Sequence, residues 1–319
     1  MITIKHIKMI KNNIRSLKIV LILFATSITV NTFAQQDVML TQYSSALQLT
    51  NPAYVGTSGR LNVTGIVRNQ WMGFEGAPKS QVLLINSPFL RHKFGLGLTF
   101  IRDEIGPTKN TLLYLNTAYN FNLTSRLKMS MGLSGGFNIN KLDVSSFSAV
   151  SNDPLLNFDN QTQFTPNFGT GIYLYSAKFY LGISTPKLIK NTYDELTDIP
   201  SSGSEEQHLF IIGGYLFKIN DTWKAKPSFS VKMVKGAPLS VDMTANVIYQ
   251  DKIWLGLMYR YGDAVGFIFQ YQVSDRIRAG YSYDLPLTEM RKNSAGSHEI
   301  LISYDLIFKD KKIVTPRYF

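Results

Sequence analysis

The side chains that most often carry out catalysis or bind metals are sparse in this chain. It has no cysteine and four histidines, of which His92, His208 and His298 follow the N-terminal segment. None of these lies in an H-E-x-x-H pattern or at the spacing of a paired zinc ligand. Serines are frequent, but no G-x-S-x-G nucleophile motif occurs. We therefore expect no metal, no cofactor and no catalytic centre of a familiar type.

The other groups with possible chemistry also have plainer interpretations. The adjacent acids Asp103-Glu104 and Glu205-Glu206 are predicted to be solvated loop charges, because neighbouring side chains of an extended chain point in opposite directions. His298-Glu299 begins a predicted strand, where we interpret it as a polar pair in a lumen or at a rim. Glycine-rich stretches at 95–98 and 132–136 match no phosphate loop, since no helix follows them. Within strands, inward glycines leave room where a wall curves or packs on a plug.

The N-terminal segment has the three parts of a secretory signal peptide. Five basic residues and no acid come first, an apolar stretch covers 19–30, and Thr32 and Ala34 offer small residues before a cleavage site. We predict cleavage after Ala34 and export through the Sec pathway. The alternative, one membrane-spanning helix, fails because about a dozen apolar residues are too few for a hydrocarbon core of about 30 Å. Without cysteine, the mature chain can be neither a lipoprotein nor disulfide-bonded.

Removing this segment changes the charge balance. The whole chain has 33 basic and 22 acidic residues, a net charge of +11. Without the five basic residues of the signal peptide the balance is 28 minus 22, or +6. The basic character is therefore partly a targeting feature, and we expect no nucleic-acid partner.

Beyond Ala34 the dominant pattern is a period of two, typical of strands with one apolar face. Leu127, Met129, Met131 and Leu133 alternate with polar or small residues, and similar runs cover 94–100, 265–271 and 300–308. No run of eighteen apolar residues occurs, which excludes a further membrane helix. About fourteen such segments are predicted. They span 60–69, 80–87, 94–102, 111–123, 127–141, 166–175, 178–184, 208–218, 223–234, 240–249, 252–259, 264–271, 277–283 and 298–308.

The connections favour a membrane barrel over a soluble sandwich. Through most of the chain short turns alternate with longer polar loops, the longest being 142–165, 185–207 and 284–297. Short periplasmic turns opposite longer extracellular loops are typical of outer-membrane barrels. We therefore predict an all-β, transmembrane antiparallel β-barrel of about fourteen strands in the bacterial outer membrane, in contact with its lipid. Its parts are a signal peptide (1–34), an N-terminal periplasmic or plug segment (35–59), the barrel (60–308) and a tail (309–319).

Aromatic residues near strand ends suit the interfacial girdles of such a barrel, and ordinary core packing is the alternative. They are Tyr114, Tyr119, Tyr173, Tyr175, Tyr215, Trp254, Tyr259, Tyr281 and Tyr283. A surface enzyme would need Asp/His or Ser/His groups that converge at the rim, a grouping that sequence alone does not reveal. We expect that the protein is not an enzyme.

Several blocks are more specific than this periodicity. They are QQDVMLTQYSSALQLTNPAYVG (35–56), VRNQWMGFEGAPKSQ (67–81), IGPTKN (105–110), PNFGTGIYLYS (166–176), FYLGISTPKL (179–188), KPSFSVKMVKGAPLSVDMTANV (226–247), WLGLMYRYGDA (254–264), AGYSYD (279–284) and GSHEI (296–300). This series resembles the PorP/SprF family of the type IX secretion system of Bacteroidota over nearly the whole mature chain.

The resemblance implies an outer-membrane component of protein secretion and gliding machinery. Members of the family are implicated in exporting large surface proteins, such as adhesins, and in holding them at the cell surface. The implied partners are the C-terminal sorting domain (type B) of a secreted protein, other components of the system and a periplasmic peptidoglycan-binding lipoprotein. The alternative function is a passive pore or small-molecule transporter, which fourteen strands with a polar inner face would also allow.

Three groups of residues are candidates for binding a partner. Trp71, Met72 and Phe74 could be loop anchors, or could fold the first loop back into the barrel mouth. Asn51, Pro52 and Tyr54 could form a periplasmic docking segment or a lumen plug. The plainer interpretation is a cap that leads the chain into the barrel, because Pro52 keeps Asn51 extended. Arg68, Arg260 and Asp263 could line the lumen as charged pairs or lie at the rim.

Overall fold

The computed structural model describes residues 38–90, 93–142, 161–192 and 204–306. The predicted signal peptide, the predicted tail and His92 lie outside the described residues. Within them, no helix has the length and apolar character needed to cross a membrane. The strands are β1 Leu61–Asn69, β2 Lys79–Phe89, β3 Phe94–Ile105, β4 Thr108–Asn122, β5 Lys128–Leu142, β6 Gln161–Tyr175, β7 Phe179–Thr185, β8 Asn191–Thr192, β9 Ser204–Glu205, β10 His208–Tyr215, β11 Phe217–Lys218, β12 Trp223–Val234, β13 Ser240–Tyr249, β14 Ile253–Arg260, β15 Ala264–Gln272, β16 Ile277–Pro286 and β17 Ser297–Leu306.

Fourteen of these strands close into one antiparallel barrel. Each long strand pairs with its neighbours in chain order, β10 pairs with β12, and β1 pairs with β17 to close the sheet. The short β8 and β9 form a separate two-stranded ribbon, and β11 extends the edge of β12. The predicted fold is confirmed, because every one of the fourteen predicted segments overlaps a different barrel strand. A closed barrel has no sheet edge and so satisfies its backbone within the membrane.

The barrel has a short-turn end and a long-loop end. Residues 123–127, 176–178 and 250–252 connect strands at one end of the barrel. The pairs β5 and β6, β7 and β10, and β16 and β17 face longer connections at the other end. By the rule for outer-membrane barrels, the short-turn end is periplasmic and the long-loop end extracellular. Both ends of the strand region, at Leu61 and Leu306, are therefore at the periplasmic end.

The third and fourth strands are longer than predicted, and this overturns one interpretation. β3 runs to Ile105 and β4 begins at Thr108, because Gly106 adopts a φ of +53° that closes a tight turn. Asp103 is therefore part of β3, where it is buried and accepts a hydrogen bond from Ser80 Oγ at 2.5 Å. The prediction that Asp103 is a solvated loop charge is wrong. Glu104, on the opposite face, forms an ion pair with Arg102 near the surface.

The barrel wall is apolar outside and polar inside. Outward residues such as Leu115, Leu133 and Leu257 are 67%, 62% and 56% exposed, which suits contact with lipid chains. Inward positions carry mainly Asn, Ser, Thr and charged side chains. This alternation also corrects the predicted aromatic girdles. Tyr119, Tyr215, Tyr259 and Tyr281 are exposed, but Tyr114, Tyr173, Tyr175 and Trp254 lie on inward positions and are buried.

Residues 38–59 fill the middle of the barrel; we call this segment the plug. It consists of three short 3-10 turns, Tyr43–Ser45, Leu47–Leu49 and Pro52–Tyr54, and it enters the first strand at the periplasmic end. Its apolar side chains belong to the buried clusters of the wall: Leu40 packs with Ile66 and Leu301, and Leu47 packs with residues of β6, β7 and β10. Two of the three buried apolar clusters among the described residues are therefore contacts between plug and wall.

Candidate functional site

The plug is bonded to the wall on several sides. Gln48 Nε2 donates hydrogen bonds to the carbonyl oxygens of Ile85 in β2 at 3.2 Å and Leu98 in β3 at 3.0 Å. Across the lumen, Gln270 Nε2 of β15 donates to Gln42 Oε1 at 2.9 Å. These bonds satisfy polar groups that burial would otherwise leave without partners. The plug is thus held by side-chain contacts to strands far apart around the barrel.

A buried ion cluster holds the extracellular end of the plug. Arg68 Nη2 donates to Asp284 Oδ2 at 2.7 Å, and Arg68 Nη1 approaches Glu299 Oε2 at 3.2 Å. The backbone N–H groups of Thr41 and Gln42 donate to the two oxygens of Glu299 at 2.9 and 3.0 Å. Arg68 Nη1 also donates to Thr41 Oγ1 at 2.8 Å. All these groups are nearly inaccessible to solvent, so each charge depends on the others. We call Arg68, Asp284, Glu299 and Thr41 the plug clamp.

A second ion pair lies beside the clamp on the neighbouring wall. Arg260 Nε and Nη2 donate to the two carboxylate oxygens of Asp242 at 2.9 and 3.2 Å, a bidentate arrangement. Asp263 Oδ2 lies 3.5 Å from Arg260 Nη1 and is partly exposed at the rim. The hydroxyl of Tyr43 in the plug reaches the carbonyl oxygen of Asp242 at 3.5 Å. The strand that carries Asp242 therefore also contacts the plug, through its backbone carbonyl.

The part of the plug around Ala53 and Val55 packs against wall positions that are glycine and so have no side chain. An added Cβ on Gly95 would lie 2.0 Å from Val55 O, and one on Gly132 would lie 2.3 Å from Ala53 N. Neither glycine could become alanine without moving the plug or the strand. The expectation that inward glycines in the stretches 95–98 and 132–136 make room for a plug is confirmed. Other wall glycines close to plug atoms are Gly97, Gly171, Gly182, Gly266 and Gly280.

The N-P-A-Y residues combine local and long-range roles. Asn51 Oδ1 accepts the N–H of Ala53 at 2.9 Å and so caps the third turn, while its Nδ2 donates to Ile172 O of β6 at 3.0 Å. Pro52 is buried, and the Tyr54 ring meets Tyr173 edge-on at 5.8 Å. The hydrogen bond from Ala53 to Asn51 is a local cap, but residues 51–54 also lie inside the lumen and contact the wall. A partner-binding role for these residues stays a prediction.

Above the plug lies a cavity of about 120 Å³ on the extracellular side, which we call the cup. Its floor includes Leu40, Tyr43 and Leu49 of the plug, and its walls include Tyr114 and Phe210. Four charged side chains also line it: Asp103, Lys187, Lys232 and Asp242. Aromatic and aliphatic surface combined with a few charges is typical of sites that bind peptides or small molecules.

The first extracellular loop is ordered and fastened to the last one. Met72 N–H donates to Gly296 O at 2.8 Å, and Ala295 N–H donates back to Met72 O at 2.7 Å. Trp71, with a φ of +48°, is partly buried, whereas Met72 and Phe74 are 42% and 47% exposed. The structure thus places two apolar side chains in solvent at the extracellular rim. Their role as anchors for a partner stays a prediction.

The structure brings some of the predicted site residues together and separates others. Arg68 and Arg260 are buried and line the lumen in charged pairs near the cup, whereas Asp263 lies at the rim beside Arg260. Trp71, Met72 and Phe74 form a separate rim patch. Sequence reasoning did not identify Thr41, Asp242, Asp284 and Glu299 as members of charged clusters, although Glu299 was interpreted as a lumen residue. Among the described residues, no group of His, Asp and Glu is arranged to hold a metal ion.

A family model of known proteins matches most of the chain. It is described as "Type IX secretion system membrane protein PorP/SprF" and matches residues 32–304. The chain belongs to the PorP/SprF family. Membership makes it an outer-membrane component of type IX secretion that works with other components of that system. The match begins before the plug and ends within β17, so it includes plug, clamp and cup. A comparison with curated protein sequences finds no significant match.

Solved structures that resemble this PorP/SprF protein are outer-membrane barrels. Omp33 of Acinetobacter baumannii is 8% identical with a TM-score of 0.46, and the match covers 77% of this chain and 98% of that one. A FadL homologue of Pseudomonas aeruginosa is 12% identical with a TM-score of 0.44, covering 80% and 92%. A variant of the monoaromatic hydrocarbon channel TodX is 10% identical with a TM-score of 0.49, covering 82% and 94%. The similarity concerns the fold alone.

Proposed function

We propose that this protein binds a secreted surface protein at the extracellular end of its barrel and holds it at the cell surface. The ligand is a segment of the C-terminal sorting domain of that protein, and the binding involves no catalysis. The observation that carries this proposal is the cup: a mixed apolar and charged cavity between the plug and the extracellular half of the wall.

The size and lining of the cup determine what it can hold. A volume of about 120 Å³ cannot take a folded domain, but it can take one or two side chains of an extended segment. Tyr114 and Phe210 offer aromatic surface, and Asp103 and Lys232 offer charges of both signs. Aromatic anchors buried in such cavities supply most of the binding energy in protein interfaces. Met72 and Phe74 at the rim would add contacts with the folded part of the domain.

The plug favours a binding protein over the alternative, a passive pore. A polar lumen of fourteen strands could conduct solutes, but here residues 38–59 occupy it and bury both apolar and charged groups against the wall. Steady conductance therefore requires that the plug leave its site. In planar bilayers we expect the wild-type protein to be silent and a variant lacking residues 38–56 to conduct. Steady wild-type conductance would favour the pore.

Binding experiments with paired variants test the proposal. The probes are purified C-terminal domains of large secreted proteins from the same organism. Replacing Tyr114 and Phe210 with Ala should weaken capture at least about tenfold, because buried aromatic anchors contribute about 2 kcal/mol or more. The matched control replaces the outward neighbours Leu115 and Leu209 with Ala and should bind normally. Equal binding by both folded double variants would contradict the role of the cup.

The rim patch is tested in the same assay. A Trp71→Ala, Phe74→Ala variant should bind more weakly, and Trp223→Ala, at the periplasmic end, is the control. Unchanged capture by a normally folded rim variant would mean that the first loop only closes the barrel mouth.

Export by the Sec pathway is part of the proposal, and mass spectrometry of the purified protein should find Gln35 as the first residue.

A further inference from the structure

The outer wall of strands β2 to β5 carries a row of charged side chains at the extracellular end of the barrel. Lys79 of β2, Glu104 of β3, Lys109 of β4 and Lys141 of β5 are paired in register, so they follow one another along the outer face. We call these four residues the basic row. Paired Cα atoms lie about 5 Å apart, so the row is about 15 Å wide. Lys79 and Lys141, at its two ends, are exposed.

The other side of the barrel has no such row at the same end. There the outward residues at the extracellular ends of β13 to β16 are also paired in register, and all are uncharged: Met243, Tyr259, Val265 and Leu285. A charged boundary is therefore not a general requirement of this barrel. The basic row is a local feature of one wall, and it needs a local explanation.

The basic row lies at the level of the lipid headgroups. On β4, Tyr119 follows Lys109 by ten residues on the same face. At a rise of about 3.3 Å per residue this is roughly 33 Å along the strand, and a strand tilt of about 40° reduces it to about 25 Å along the membrane normal. That is the usual height of the apolar band of such barrels. Tyr119 is exposed and its ring packs on Phe94 at 5.1 Å, so these aromatics mark the periplasmic boundary and Lys109 the extracellular one.

Below the basic row, the same wall forms two apolar grooves that face the lipid. The first has a volume of about 550 Å³. Gly135 helps to form it, because this outward position has no side chain and lies between the exposed Leu115 of β4 and Phe168 of β6. A second groove of about 500 Å³ adjoins the first, and both are lined by Leu133. Grooves between exposed apolar side chains suit acyl chains better than a flat wall does, since more methylene groups reach contact distance.

We propose that the basic row and the two grooves together bind a lipid of the outer leaflet that has a phosphorylated headgroup. The headgroup lies at Lys79 and Lys141, and the acyl chains lie in the grooves. Lysines at a membrane surface attract anionic headgroups, and the acid of the row, Glu104, is already paired with Arg102 at 2.8 Å. The site is on the outside of the barrel, so this inference does not depend on the function proposed for the cup.

Native mass spectrometry of the full mature chain in detergent tests the site with two defined probes. Phosphatidic acid and diacylglycerol with the same acyl chains differ only in the phosphate, and each is titrated to give a Kd. We expect phosphatidic acid to bind at least about tenfold more tightly than diacylglycerol. Equal Kd values for the two probes would overturn the proposal, because the basic row would then have no role in binding.

Paired charge variants connect the binding to the basic row. A Lys79→Gln, Lys141→Gln variant should raise the Kd of phosphatidic acid about thirtyfold, which corresponds to about 1 kcal/mol for each lysine at a charged surface. The matched control, Lys178→Gln, Lys252→Gln, removes two exposed lysines at the periplasmic end and should leave the Kd unchanged. Lys79→Arg, Lys141→Arg keeps both charges and should bind nearly as well as the wild type. Equal Kd values in the Gln variant of the row and its control would overturn the proposal.

A second pair of variants tests the grooves. Gly135→Leu places a side chain in the first groove and should weaken binding several-fold, because it takes the space of an acyl chain. Gly65→Leu, on the outer face of β1 where an added Cβ meets nothing within 4 Å, is the matched control and should bind normally. Equal binding by the two folded variants would refute the role of the grooves. Loss of a wild-type dimer in Gly135→Leu, without a change in the Kd of the lipid, would assign the grooves to a second copy of the chain instead.

Discussion

The plug clamp gives the most demanding prediction. Replacing Arg68 with Ala leaves Glu299 and Asp284, which are 0% and 1% exposed, without their cation. Removing one member of a buried ion pair costs about 3–5 kcal/mol, because the remaining charge is both desolvated and unpaired. Since the same acids hold Thr41 and Gln42, we expect most of this cost to appear as release of the plug while the barrel strands stay paired.

The absence of cysteine makes this release measurable. Leu47 lies in the plug and is 1% exposed because it packs against the wall, so a Leu47→Cys variant should react with a thiol reagent only when the plug leaves the wall. If about 3–5 kcal/mol is lost from the closed state, the labelling rate should rise by about two to three and a half orders of magnitude, at roughly 1.4 kcal/mol per tenfold. Hydrogen exchange of residues 38–59 should increase in parallel.

The matched control is the ion pair between Arg102 and Glu104 on β3. Their side chains are 51% and 34% exposed, so Arg102→Ala should cost no more than about 1 kcal/mol and leave the labelling rate of the Leu47→Cys variant within several-fold of its starting value. The reasoning is refuted if Arg68→Ala and Arg102→Ala give the same labelling rate in folded barrels. It is also refuted if Arg68→Ala unfolds the whole barrel without a separate plug opening, because the clamp would then belong to the wall.

Three further predictions follow from the same contacts. Gly132→Val should expel the plug, as judged by thiol labelling in the Leu47→Cys background, while Gly65→Val, where an added Cβ meets nothing within 4 Å, should not. Asn167→Ala should raise protease cleavage at 186–190, because the Asn167 side chain accepts the N–H groups of Leu188 and Ile189 at 3.0 Å each and its loss costs about 1–3 kcal/mol; equal cleavage would show that other contacts hold this segment. Thr41→Val should loosen the plug less than Arg68→Ala, since it removes hydrogen bonds but no charge, and a larger effect in hydrogen exchange would contradict this order.

The period-two pattern predicted the wall of the barrel well for a physical reason. A membrane strand must present an apolar side chain to lipid at every second position, so alternation is imposed locally and can be read locally. The same rule shows why the aromatic girdles were only partly right. Tyr173 and Trp254 occupy inward positions of their strands, which tells against a lipid-facing girdle. Proximity to a strand end was a weaker guide than this alternation.

The contacts of the plug could not be predicted in this way. Thr41 and Glu299 are 258 residues apart in sequence, and Gln42 and Gln270 are 228 apart. Nothing in the local sequence around Arg68 specifies that its partners are Asp284 and Glu299, because the pairing depends on the register of three strands. Asp103 was misplaced for a related reason: the turn at Gly106 is tighter than the polar sequence around it suggests.

The plug nevertheless explains why particular sequence blocks carry the family resemblance. NPAYVG contains the residues that pack on Gly95 and Gly132, and RNQWMGFEGAPKSQ begins with Arg68 of the clamp. GSHEI supplies Glu299, and AGYSYD ends at Asp284. Blocks that are far apart in the sequence thus meet at one place, the contact between plug and wall. If the blocks served separate surface contacts, substitutions in them would act independently. We expect instead that substitutions at Thr41 and Glu299 are coupled by about 0.5 kcal/mol or more in a double-mutant cycle, the lower limit for residues that share one hydrogen-bond network.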